Sequence, residues 1–232
     1  MLGILVAFVA SWALIWLISR EHIFVLGIKP NYRRLKEFSA GFLFMASIGV
    51  INFLWQSHFK EITYQPNPDY ELVQLMSGVW WTAKAVIFEE LIYRGAILYL
   101  LIWKIGVIKA CLLDALVFGI YHWFSYQMFG AGIVPMIYVL LLTGAGGWMF
   151  AFAFANTKSL FAPVGLHLGW NLVAIVVFSS GPLGNQWLLA QGEALELSGW
   201  ATLMFFSLQA LIAPGMVTWY LHFIYPRERS LA

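Results

Sequence analysis

Hydrophobic residues fill the chain in long runs that short polar connections separate. A helix needs about 20 mostly apolar residues to cross a bilayer. Seven runs meet that length, near Leu2–Ile18, Phe38–Trp55, Ser77–Trp103, Val107–Phe129, Ile133–Ala155, Leu160–Phe178 and Trp200–Tyr220. The third run is longer than one crossing requires, so it is tilted, extends beyond the membrane, or breaks and adds an eighth element. The pattern predicts an all-α, polytopic transmembrane helix bundle of about seven to eight spans.

Composition makes lipid the expected solvent of this chain. Its 232 residues are 62% hydrophobic and 10% charged, which leaves too little polar surface to cover a soluble globule. The net charge of +2 is too small to indicate a nucleic-acid partner. The single cysteine, Cys111, lies in an apolar run, so we expect a small packing residue. Without a repeat or a long linker, residues 1–232 are expected to form one membrane domain.

The basic residues concentrate in alternate connections between the predicted spans. On one side lie Arg20, Lys29, Arg33, Arg34, Lys36, Lys104, Lys109, Lys158, Arg227 and Arg229. In the connections on the opposite side only Lys60 appears. The positive-inside rule therefore predicts an N-terminus outside and a cytoplasmic C-terminus. The two longest outer connections carry turn signals at Asn67-Pro68 and Ser180–Pro182 and have room for short interfacial helices.

A few polar residues remain inside the predicted spans. They are Lys84, Glu89, Glu90, Arg94, Asp114, His122, His167 and Asn171. Ionisable groups are costly at the bilayer centre, so each is a candidate functional residue by default. Lys84 follows two tryptophans and is expected to reach water at the outer interface. Asp114 is expected at the aqueous boundary of its span, with a hydrogen bond between helices as the alternative.

Glu89 and Glu90 are expected to have different roles. Glu90 and Arg94 have i,i+4 spacing, so the two charges can pair along one face of a helix. Glu89 is rotated by about 100° from Glu90 and is left free to face a cavity, where a carboxylate can act as a general base. The alternative is a pair of structural carboxylates that share one arginine.

Two histidines and an amide lie at depths similar to Glu89 on other predicted helices. Gly165 and Gly169 flank His167 in a GxxxG pattern, which lets a neighbouring helix approach closely. The glycines of Thr143–Gly147 favour the same close packing on the fifth span. A converging polar site is therefore expected around His122, His167 and Asn171.

Two chemistries suit this set of side chains. Glu89, His122 and His167 offer two histidines and a carboxylate to a zinc ion, although the HExxH motif is absent. In a metal-free hydrolase, Glu89 with His122 would deprotonate a water molecule, while His167 and Asn171 would donate hydrogen bonds to the oxyanion. We expect no cofactor, and zinc stays open as the alternative.

Three ordered motifs resemble those of a known family. Glu89–Arg94 reads EExxxR, Phe118–His122 reads FxxxH and His167–Asn171 reads HxxxN. Together they resemble the CPBP intramembrane proteases, which include the type II CAAX prenyl endopeptidases and the bacterial Abi proteins. The resemblance covers roughly residues 84–173, and the flanking spans are compatible with it.

The resemblance implies a glutamic-type intramembrane endopeptidase in a prokaryotic plasma membrane. Its substrate would be a membrane-associated protein or peptide, of which a prenylated CAAX protein is one option. By the family pattern, Glu89 and His122 activate water, and His167 and Asn171 form the oxyanion pocket. Glu90 and Arg94 would stabilise the site.

Two other function classes place similar residues inside a membrane. A proton-coupled transporter carries Glu, His and Arg at the midplane, but it favours repeated halves and interrupted helices in matching positions, which the sequence does not show. A noncatalytic scaffold would bind a partner without cleaving it. The sequence does not predict the oligomeric state.

Overall fold

The chain forms a bundle of helices in a computed structural model that describes residues 1–225 and, of Leu208, the backbone only. The helices are α1 Leu2–Ser19, α2 Tyr32–Lys60, α3 Leu72–Ile92, α4 Leu98–Ile105, α5 Val107–Ser125, α6 Ile133–Thr157, α7 Phe161–Asn171, α8 Gly199–Ser207 and α9 Ala213–Ile224. A 3₁₀ turn spans Ile23–Leu26, and π-helical turns span Tyr93–Ile97, Leu172–Val177 and Leu208–Ile212. The predicted all-α bundle is confirmed. Arg227 and Arg229, used in the orientation argument, lie outside the described residues.

Five helical segments in the described part of the chain are long and apolar enough to cross a membrane, by length and composition. They are α1, α2, α5, α6 and the run Gly199–Ile224 that α8 and α9 form with the turn between them. The other two predicted spans are the interrupted α3–α4 and the shorter apolar helix Phe161–Val177. These two carry both glutamates and four of the other polar candidates, so the polar site interrupts the apolar pattern of the helices that hold it.

The long third run breaks beside its charged cluster. Gly95 has φ −78° and ψ −132°, outside the helical region, and the helix resumes as α4 at Leu98. α1 packs against the break, where Ser11 Oγ donates a hydrogen bond to the carbonyl of Leu91 at 3.4 Å. The carbonyl of Leu91 thus has a side-chain partner from another helix, which suits a polar group in an apolar environment. Of the three predicted possibilities, breakage is correct, and α4 is the additional element.

α2 and α7 approach each other almost backbone to backbone. A Cβ atom added to Gly165 would collide with the backbone of Phe38, and one added to Gly169 would collide with the carbonyl of Phe42. The close approach predicted from the GxxxG pattern is confirmed. This contact sets the position of His167, which lies between the two glycines on α7.

α5 and α6 pack in the same way through small residues. A Cβ atom added to Gly119 would lie 2.8 Å from the carbonyl oxygen of Leu140, and one added to Gly147 would lie 3.2 Å from Cα of Ala115. The expected packing role on the fifth predicted span is confirmed for Gly144 and Gly147 and not for Gly146. Cys111 is fully buried in the hydrophobic core beside these helices.

Two short strands join the outer connections. β1 Thr63–Pro66 pairs antiparallel with β2 Leu188–Gln191, with Thr63 opposite Gln191. The rings of Phe53 and Phe178 stack beneath the strands, with centroids 4.5 Å apart. The expectation of short interfacial helices there is wrong, because these segments use their backbone groups to pair with each other.

Candidate active site

Glu90 and Arg94 form the buried centre of the site. Arg94 Nη1 donates to Glu90 Oε1 at 3.2 Å, and both residues have no exposed surface. Glu90 lies in the last turn of α3, and Arg94 lies in the π-helical turn that follows. Turns of this type occur frequently at functional sites. The predicted i,i+4 pair is present in the structure.

Arg94 also contacts two other helices. Its Nε lies 3.2 Å from Oδ2 of Asp114 on α5, and its Nη2 donates to the carbonyl of Gly147 on α6 at 3.1 Å. The ring of Phe118 lies 4.3 Å from the guanidinium carbon, within the range of a cation–π contact. One arginine therefore links the break after α3 to α5 and α6.

Asp114 is a member of this charged cluster. Only 4% of the residue is exposed, and it pairs with Arg94. The first expectation, a carboxylate at the aqueous boundary, is wrong. Asp114, Phe118 and His122 follow one another at steps of four, so they share a face of α5. That shared face is the sequence signal that could have placed Asp114 in the site.

His167 is bound to the second glutamate of the pair. Its Nδ1 lies 2.8 Å from Glu90 Oε1, and because a carboxylate only accepts, Nδ1 is the donor. Its Nε2 lies 3.8 Å from Glu89 Oε2. The ring of Phe150 stacks on the imidazole, with centroids 4.7 Å apart. The imidazole of His167 therefore lies between both glutamates, and Glu90 and Phe150 fix its orientation.

His122 has a defined tautomer. Its Nδ1 lies 2.7 Å from the carbonyl oxygen of Phe118, one turn earlier on α5, and a carbonyl only accepts. Nδ1 therefore carries a proton, and in the neutral ring Nε2 is an acceptor. The Phe118 ring contacts both histidines, with centroids 4.5 Å from His122 and 6.1 Å from His167.

Glu89 and Asn171 occupy more open positions than the charged centre. The Glu89 side chain is 19% exposed, whereas that of Glu90 is 1% exposed. Asn171 ends α7 one turn after His167, and its side chain makes no hydrogen bond to any residue among 1–225. No hydrogen bond or ion pair joins Glu89 to His122 in that part of the chain. Within residues 1–225, Glu89 thus approaches His167, whereas His122 and Asn171 form no hydrogen bond or ion pair with either glutamate.

The three candidate zinc ligands differ in their contacts. His167 Nε2 lies 3.8 Å from Glu89 Oε2, whereas Nδ1 of His122 donates to the carbonyl of Phe118. Within residues 1–225, no three His, Cys, Asp or Glu side chains are grouped so that they could hold a metal ion.

The fold and the site define a polytopic membrane protein with a buried cluster of acids, histidines and one arginine. A family model described as type II CAAX prenyl endopeptidase Rce1-like matches residues 71–173, just under half of the chain. The matched segment runs from the residue that caps α3 to the turn after α7 and includes every candidate site residue. The resemblance stated from the three motifs is confirmed. No curated protein and no solved structure compared with the chain gives a match.

Proposed function

We propose that the protein is an intramembrane endopeptidase that hydrolyses a peptide bond in a membrane-associated protein or peptide. The family match supports an endopeptidase of the CAAX type. The observation that carries the mechanism is the position of His167, which one carboxylate orients through Nδ1 while the other lies near Nε2. Paired acids and histidines whose environments differ are typical of acid–base catalysis.

Glu89 is the proposed proton acceptor for water. It is the more exposed of the two glutamates, and Arg94 is hydrogen-bonded to Glu90 instead. A carboxylate without a neighbouring guanidinium hydrogen bond keeps its oxygens available to a water molecule. His122 assists in this step, since its neutral ring presents Nε2 as a second acceptor to the same water.

His167 and Asn171 are the proposed donors to the oxyanion. Because Nδ1 of His167 already donates to Glu90, donation from Nε2 requires a ring with protons on both nitrogens. Glu90 stabilises that cation directly. The Asn171 amide is one turn further along the same face of α7, so both donors project from one helix.

The proposed reaction then balances without a further reactant. Water gives a proton to Glu89, and its oxygen attacks the carbonyl carbon of the scissile bond. The carbonyl oxygen becomes an oxyanion that accepts hydrogen bonds from His167 and Asn171. When the C–N bond breaks, the leaving nitrogen takes the proton from Glu89, and the site returns to its starting state.

The experiment that tests this function compares membrane proteins and secreted peptides from cells that carry wild type or Glu89→Gln. A cleavage product present only with wild type identifies the substrate, which the purified protein should then cleave in detergent or liposomes. A purified protein that binds this substrate equally well in both forms and cleaves it in neither would be a scaffold. Exhaustive chelation tests the metal-free mechanism: activity should persist, and activity that disappears and returns with zinc would overturn that mechanism but not the protease assignment.

A further inference from the structure

A cavity of about 910 Å³ lies outside the candidate active site. It lies between α2 and α9, with parts of α6 and α7 as its floor. None of the proposed catalytic residues lines it. The lining also includes the apolar residues Ala40, Phe44, Leu166, Val217 and Leu221. Ligand sites for small molecules commonly have volumes of roughly 300–1,000 Å³.

The charged residues of this cavity all lie at one end. Arg33, Lys36 and Glu37 belong to the first two turns of α2, and Tyr225 follows the end of α9. From there the cavity follows α2 to Phe44, about 18 Å at the helical rise of 1.5 Å per residue. One leaflet is about half of the roughly 30 Å hydrocarbon thickness. The cavity therefore has the polarity and length of a site for one lipid molecule.

Glu37 carries a buried oxygen that needs a donor. Its side chain is 9% exposed, and its Oε1 accepts from Arg33 Nε at 2.8 Å and from the Tyr225 hydroxyl at 2.7 Å. Burial, followed by the hydrogen bond to Glu37, raises the pKa of Tyr225 to about 12, so the hydroxyl keeps its proton and donates. Oε2 is buried as well, and no donor within residues 1–225 reaches it. A buried acceptor without a partner is costly, so the site favours a ligand that brings an N–H or O–H group.

We propose that this cavity binds an aminophospholipid such as phosphatidylethanolamine. Its ammonium group donates to Glu37 Oε2, and its phosphate lies against Arg33 and Lys36. The Arg33 side chain is 64% exposed, so the guanidinium N–H groups that do not bind Glu37 face the headgroup region. An acyl chain fills the apolar part along α2. Phosphatidylcholine carries the same phosphate and charge but no N–H group, so it leaves Oε2 without a donor.

The lipids themselves provide a test that needs no variant. Binding of phosphatidylethanolamine, its N-methyl and N,N-dimethyl forms, and phosphatidylcholine with the same chains is measured on the purified full-length protein by native mass spectrometry. The apparent Kd should rise from the first lipid to the last by at least about tenfold, as expected for loss of a hydrogen bond to a charged group. Equal Kd values for phosphatidylethanolamine and phosphatidylcholine would overturn the proposal.

Two variants test the carboxylate and the apolar lining of the cavity. Glu37→Gln should weaken phosphatidylethanolamine binding to the level of phosphatidylcholine, and the exposed Glu193→Gln should keep the wild-type preference. Ala40→Trp, on an exposed position of α2 that lines the cavity, should weaken binding of both lipids. A preference that survives in Glu37→Gln, or binding unchanged in Ala40→Trp, would place the lipid elsewhere and overturn the proposal.

Discussion

Glu90 Oε1 accepts hydrogen bonds from both His167 Nδ1 and Arg94 Nη1, at 2.8 Å and 3.2 Å. One oxygen thus connects the proposed oxyanion donor with the charged cluster that joins α3, α5 and α6. The second oxygen of Glu90, Oε2, is buried and has no hydrogen-bond partner within residues 1–225. Glu90 is therefore a positioning residue for His167 as well as a partner of Arg94.

If Glu90 acts through His167, their substitutions should not be additive. His167→Ala should lower the rate of peptide cleavage by about 10²–10³-fold, the usual cost of one lost oxyanion donor. Glu90→Gln should lower it in the same step, and the double variant should be little slower than His167→Ala. Single-turnover cleavage measures all three. Rates that multiply in the double variant would show that Glu90 and His167 act separately.

Glu89→Gln keeps the size of the side chain but removes the proton acceptor. The rate of the chemical step should fall by at least about 10²-fold, whereas the affinity for substrate and the unfolding temperature should stay unchanged. His122→Ala should lower the rate of the same step. Asn171→Ala should lower that rate by about 10²–10³-fold through loss of an oxyanion donor. Glu193→Gln, a substitution of the same kind on an exposed loop, is the matched control. Wild-type turnover in Glu89→Gln would exclude Glu89 as the base.

Arg94→Ala should harm folding more than any substitution of an exposed basic residue. It leaves Glu90 and Asp114 buried beside each other without their cation, and loss of one member of a buried pair typically costs about 3–5 kcal/mol in free energy of unfolding. Glu90→Gln should recover part of that loss in the Arg94→Ala background, and Asp114→Asn should recover more when added.

Chemical unfolding in detergent measures these differences. Lys104→Ala, at an exposed position at the end of α4, should change the free energy of unfolding by no more than about 0.5 kcal/mol. A double variant no more stable than Arg94→Ala alone would contradict the pairing.

Gly169→Ala should destabilise the contact between α2 and α7. The added methyl group meets the carbonyl of Phe42, which belongs to a helix backbone and cannot move away as a side chain can. Overpacking of this kind costs about 1–3 kcal/mol. Gly215→Ala on α9, where an added Cβ would meet nothing within 4 Å, should be neutral or up to about 1 kcal/mol more stable. Equal unfolding temperatures for the two variants would contradict the close contact.

The orientation predicted from the basic residues can be measured. Tags at Met1 and near Gly192 should lie outside, whereas tags near Arg33 and at Ala232 should lie in the cytoplasm. Labelling of single introduced cysteines with a membrane-impermeant reagent measures the side on which each position lies. Termini found on the same side would remove one span from the predicted topology.

Local features of the sequence predicted much of the bundle. Hydrophobic run length located the helices, because a helix in lipid satisfies its own backbone groups. Spacing of four residues predicted the pair of Glu90 and Arg94, since both lie on one helix. The break after α3 was one of three possibilities, and only the backbone of Gly95 distinguishes them.

Local features of the sequence do not predict contacts between segments that are distant along the chain. Run length places Asp114 near one end of its predicted span but does not show which helix its carboxylate faces. The hydrogen bond between Glu90 and His167 joins residues 77 positions apart, so it depends on how α3 and α7 pack. The strands β1 and β2 are four residues each, too short for an alternating pattern, and within residues 1–225 they form a two-stranded sheet.

The glycines of α7 fix the position of the candidate active site relative to α2. Side chains between helices can change rotamer when a membrane thins or thickens, but the contact of Gly165 and Gly169 with α2 is made by backbone atoms and has no rotamers to change. His167 and Asn171 should therefore keep their depth relative to α2 in bilayers of different thickness. Any dependence of turnover on lipid composition would then arise from the delivery of the substrate rather than from distortion of the catalytic groups.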